Sequence, residues 1–162
     1  MRAKASASST ATPRRRAASS IGMMRAMANR SSGGWVSDLA ARLAAETDWR
    51  VPLGEALDQF YWLWPDREAM AAALAGPPGV ALPPFPDALL AAVVEHLAAQ
   101  WRLPAPPWVA GAGRGLAQPV SLAPPWFPAD RLGAGPPPFA RRLILTDPDP
   151  LRRARRPHRP WV

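Results

Sequence analysis

Only one of the two histidines, His96, lies away from the chain ends, and it directly follows Glu95 in DALLAAVVEHLAAQW. Adjacent residues on a helix project about 100° apart, so this pair does not face one substrate as acid and base. There is no HExxH pattern, and no His or carboxylate stands three or four positions from His96 to complete a metal site. The expected role of His96 is therefore a histidine at the solvent edge of an apolar helix face. An enzyme would need a pocket joining His96 and Glu95 to an arginine such as Arg141.

The carboxylates offer little more. Glu55 and Asp58, three apart, fall on one helix face and read as a solvated, solubilising pair. Asp147 and Asp149 are close in sequence, but Pro148 and Pro150 keep the DPDP backbone extended. Hard cations need more oxygens than either pair supplies. The GAGRG run at 111–115 superficially resembles a phosphate-cradling loop. It lacks the Lys-Ser/Thr of a P-loop and a flanking strand and helix, so a flexible loop is expected. With no cysteine, disulfides, thiolate metal sites and cysteine nucleophiles are excluded. No catalytic, cofactor-binding or metal-binding residue is assigned, and the chain is expected not to be an enzyme.

The aromatic residues point elsewhere. Eight tryptophans are many for 162 residues, and Trp62 and Trp64 in FYWLWP lie two apart. At that spacing they cannot share a helix face, so at least one of the cluster must reach a surface or an interface. Tyr61, Trp62 and Trp64 are the candidate partner-binding residues, because exposed large aromatics mark contact surfaces. The alternative is that the proline-rich C-terminal part of the same chain covers them.

Charge is unevenly laid out. Residues 1–32 hold seven basic residues and no acid, residues 33–150 hold eight arginines against all twelve acids, and residues 151–162 hold five arginines and no acid. The formal charge of +8 thus belongs to the two ends, and the middle is mildly acidic. Arg14, Arg15 and Arg16, with Arg152, Arg153, Arg155 and Arg156, are the candidate nucleic-acid contacts. Such tails would give weak, salt-sensitive, sequence-blind attachment to phosphates.

Residues 1–34 have few large side chains and are expected to be disordered. They fail as a secretory signal, because AASSIGMMRAMA is small-residue-rich and broken by Arg25. Their acid-free Arg/Ser composition also resembles an organelle transit peptide, and Met23, Met24 and Met27 offer later starts. Plain disorder or a later start is favoured, with a cytoplasmic location. No run of about 18 uncharged apolar residues exists, so no membrane span is expected.

These features need elements to position them. A first helix is expected from Ser37, as N-cap, to about Thr47, with Leu39 and Leu43 on its apolar face. Leu53, Leu57, Phe60, Tyr61 and Trp64 place a second after Pro52, stopped by Pro65. Asp66 caps a third through Met70 and Leu74, ended by Gly76. The clearest, at about 86–102, carries Leu89, Leu90, Val93, Val94, Leu97 and Trp101 as one stripe and should be the central core element. Beyond it the chain is rich in Pro and Gly yet holds Leu103, Trp108, Val109, Leu122, Trp126 and Phe127. Such a segment is expected to wrap the helices and plug their apolar edges. A helical turn and a strand-like run follow over Phe139–Leu145, and residues 147–162 are expected to fray.

Taken in order, WRVPLGEALDQFYWLW, PDREAMAAALAGPP, DALLAAVVEHLAAQWRLPAPPWV, PPWFP and PPFARRLILT resemble a family of bacterial helical proteins of uncharacterised function. Its outline reads FLDEFY…EHLA…GLPVPxWV…PWF…PxxFRRRxIF. The resemblance covers residues 36–146. Members often carry a helix-turn-helix domain ahead of this region or lie beside toxin–antitoxin-like nucleotidyltransferase genes, which implies a regulatory or antitoxin-type accessory role. The segment before Trp35 shows no helix-turn-helix, so DNA binding does not carry over, and the family offers no catalytic residues to transfer.

The expected protein is mainly α. A four-helix domain at 35–146 has a proline-rich C-terminal segment wrapped over it, between disordered basic ends at 1–34 and 147–162. The expected function is a non-enzymatic protein-interaction module with a protein partner and no cofactor. Nucleic acid is the alternative, through the tails alone.

Overall fold

The computed structural model describes residues 34–111, 113–124, 126–128, 130, 132, 135–154, 156 and 157. These residues form a mainly α domain. Its longer helices are α1 (Trp35–Ala45), α2 (Arg50–Tyr61), α3 (Arg67–Ala75) and α4 (Pro84–Gln100). A 3-10 turn at Pro107–Ala110, strand β1 (Val120–Ser121), the one-turn helix α5 (Pro137–Ala140) and strand β2 (Ile144–Leu145) follow. The expected segment 1–34 lies, up to residue 33, outside the described residues.

Helix α4 is central because its sequence leaves it no polar side for most of its length. Ala88 through Val94, Leu97 and Ala98 are all buried, and α1, α3, α5 and the 3-10 turn pack around it. Pro84 and Pro86 sit in its first turn, where their missing N–H groups cost nothing. Its end is a Schellman motif, with Leu103 N donating to Ala98 O at 2.8 Å and Arg102 N to Ala99 O at 3.3 Å. That motif puts Arg102 at φ 51°, a left-handed position that favours glycine. Both ends lie two residues earlier than the stripe of large side chains suggests, since prolines start helices well.

The shorter helices follow local signals. Asp66 caps α3 by accepting from Ala69 N at 3.0 Å, and Met70 and Leu74 are fully buried beneath it. Ser37 is not the cap of α1. Gly34 takes that position, and the Ser37 hydroxyl donates back to Gly34 O at 2.9 Å. Helix α1 packs on α2, where the Trp35 indole N–H donates to Ala56 O at 2.8 Å and its ring meets Phe60. Helix α2 ends at Tyr61, and Trp62–Pro65 continue as turns into a cis Trp64–Pro65 bond.

The proline-rich segment packs over the helices, as its scattered apolar residues require. Leu103 and Val109 enter the core, and Trp108, Leu116 and Leu122 lie against it. Strands β1 and β2 pair in parallel, Val120 opposite Ile144 and Ser121 opposite Leu145. Gly135 crosses so near Thr146 that a Cβ there would stand 2.8 Å from its methyl group, which explains the glycine. Trp126 departs from the expected plug. It is 81% exposed.

The C-terminal boundary also needs correction, because fraying does not begin at residue 147. Leu151 is 1% exposed, in the same core as Leu53 and Leu57, and Thr146, five positions earlier, is also buried. An apolar side chain that finds such a site repays the ordering of the chain carrying it. Arg155 and residues 158–162, with His158 and Trp161, lie outside the described residues.

Candidate functional site

The aromatic cluster is built on the end of α2 and the end of α4. Tyr61 stacks obliquely on Trp101 with ring centroids 6.0 Å apart, and Trp64 does so at 5.4 Å. Phe60 meets Tyr61 edge-on at 5.8 Å. Tyr61 is 3% exposed, so it is core and not contact surface. Its hydroxyl donates to Leu151 O at 3.0 Å, which ties down the chain beyond β2. Burial pushes the Tyr61 hydroxyl pKa far above its ordinary range, and the nearby Arg156 acts in the opposite direction. Trp64 is half-buried, whereas Trp62 is 56% exposed. The three candidate residues thus separate into core, rim and surface. A phenol and two indoles so close in sequence gave no means of ranking them, since burial depended on Trp101 and Leu151.

The tail arginines divide similarly. Arg153 donates to both oxygens of Asp58, at 3.1 and 2.6 Å, and Arg156 forms a two-pronged pair with Asp149. Arg152 is exposed. Arg14, Arg15, Arg16 and Arg155 lie outside the described residues. Of the seven candidate nucleic-acid contacts, Arg153 therefore holds the tail to the body, and Arg156 closes a pair within the tail. The pairing uses Asp58, which the sequence alone placed with Glu55 on a solvated face, whereas Glu55 meets Arg42 at 2.9 Å.

A second place gathers charge. Glu95, on α4, receives Arg141 Nη2 on one oxygen at 2.6 Å and Arg142 Nη1 on the other at 2.8 Å. Arg142 is 5% exposed and also donates to Pro138 O and Val109 O, each at 2.7 Å. These contacts satisfy most of a buried guanidinium, and its Nε–H has no acceptor. Arg114 pairs with Asp87 and lies over the Trp108 ring, 5.0 Å from its centroid. Between these groups and the 111–115 loop opens a cleft of about 310 Å³. Glu95, Val109, Gly111, Arg114, Arg141 and Arg142 are among its lining. Gly111, Gly113, Arg114 and Gly115 of the glycine-rich run, expected to be only a flexible loop, form one wall.

Glu95 and Arg141 meet as an enzyme reading would require, but His96 does not join them in that lining. Its ring packs edge-on against Phe139 at 5.7 Å, and burial lowers its pKa from 6.5. Asp149 opposes that shift and Arg156 reinforces it. Among the described residues no group of three or more His, Cys, Asp or Glu could hold a metal ion. None of their helices is long and apolar enough to cross a membrane. No protein-family model, curated protein or solved structure matches this chain.

Proposed function

We propose that the domain is a non-enzymatic protein-interaction module of the cytoplasm, an accessory or antitoxin-like partner that touches another protein through Trp62. The observation that carries this reading is a tryptophan 56% exposed at the end of α2, beside Tyr61 and Trp64, whose rings brace on Trp101. A large aromatic whose base is already rigid loses little further entropy on binding, which is why tryptophan is enriched among the residues that dominate interfaces. The resemblance over residues 36–146 to bacterial helical proteins of uncharacterised function, often encoded beside toxin–antitoxin-like nucleotidyltransferase genes, supports the same reading and suggests a first partner to try.

The test places a photo-crosslinking amino acid at position 62 of the full chain, co-expressed with the product of the neighbouring gene. A control carries it at position 80, where Val80 is 45% exposed. An adduct formed at 62 and not at 80 is expected. No adduct at 62, or equal yields at both positions, overturns the proposal.

A further inference from the structure

We propose that the cleft between α4, the 111–115 loop and Arg141–Arg142 binds a phosphate-type oxyanion carried on a small molecule, a phosphate monoester. This goes beyond the protein contact at Trp62 and uses none of the same residues. The Glu95–Arg141–Arg142 cluster has one carboxylate for two guanidinium groups. It therefore keeps a net positive charge in a partly enclosed site, where electrostatic attraction exceeds its value in open water. Arg114 adds a third guanidinium, balanced by Asp87, which does not line the cleft.

The donors are in excess of the acceptors. Among the described residues Arg141 is committed only to Glu95 Oε1 and, at 3.4 Å, to Pro137 O, and it remains 56% exposed at the side chain. Its other N–H groups are open to a ligand, and guanidinium groups present N–H pairs that match phosphate oxygens. Arg142 is already oriented by two carbonyls and Glu95, so the charge at the cleft floor needs no rearrangement. Gly113 has φ 88°, and a Cβ there or on Gly115 would meet no neighbouring atom. A ligand can therefore approach that wall at backbone distance. The volume of about 310 Å³ exceeds the needs of a bare ion and suits a phosphate with part of its ester group.

The experiment titrates the full chain with inorganic phosphate, a nucleoside monophosphate and acetate, by calorimetry and by following Gly113 and Gly115 amides in NMR. Saturable phosphate binding that moves those amides is expected. Arg141→Gln should weaken it about tenfold or more at unchanged melting temperature, the loss expected for a charge-assisted contact. Arg152→Gln should bind as the parent does, which separates the cleft from the basic tail. Tighter binding of the monophosphate than of inorganic phosphate is expected, and equal binding of the two overturns the assignment of an ester. The proposal is overturned by no saturation up to about 10 mM, by Arg141→Gln binding like the parent, or by acetate binding as well as phosphate. Trp62→Ala should leave phosphate binding unchanged, so failure at either site does not decide the other.

Discussion

Leu151→Ala tests whether the chain beyond β2 belongs to the fold. Leu151 is 1% exposed and lies in the core cluster with Leu53, Leu57 and Tyr61. Removing three buried carbons forfeits about 2.4 kcal/mol of transfer free energy at ~0.8 per carbon. The residual cavity brings the expected loss to about 3 kcal/mol. The Tyr61 hydroxyl bonds to the Leu151 backbone carbonyl, so that contact survives the substitution and the loss reports side-chain packing. For a domain of this size each kcal/mol shifts the melting temperature by about 4 °C, giving a fall of about 12 °C. Thermal and urea unfolding followed by circular dichroism measure it, with Arg152→Ala as an exposed control expected to move by less than about 0.5 kcal/mol. If Leu151→Ala behaves like the control, the segment frays and the reasoning from burial fails.

Two further outcomes rest on local geometry and burial. Arg102 holds φ 51° at the end of α4, so Arg102→Gly should stabilise the protein by about 0.5–1 kcal/mol, read as a higher urea midpoint. The contact from Arg67 is to the Arg102 carbonyl and remains. His96 has its pKa lowered from 6.5 by burial, so below that pH the unfolded chain takes up more protons than the folded one and stability falls. Between pH 7 and 5 the loss in unfolding free energy should be smaller in His96→Gln than in the parent.

How much was legible can be judged from particular residues. The Asp66 cap, the stop at Gly76 and the burial of Leu89, Leu90, Val93, Val94, Leu97 and Trp101 follow from spacing, because each depends on neighbours within a turn or on a whole apolar stripe. The plugging role of Leu103 and Val109 was legible from composition, whereas the exposure of Trp126 was not. The cleft has a faint signal in the sequence, since an enzyme would need Glu95 joined to an arginine such as Arg141, but nothing local distinguishes Arg142 as the buried partner.

The sequence by itself determined a mainly α domain around one apolar helix, because side-chain periodicity and helix-ending residues act over short distances. Tertiary structure decided the fate of neighbours with similar chemistry. Tyr61 is buried and Trp62 exposed, and Arg142 is buried whereas Arg141 lies open. A buried hydroxyl or guanidinium is stable only where acceptors await it. Those acceptors are Leu151 O, 90 positions from Tyr61, and Glu95 and Val109 O, 47 and 33 positions from Arg142. Only the folded chain brings groups so far apart in sequence to the same place.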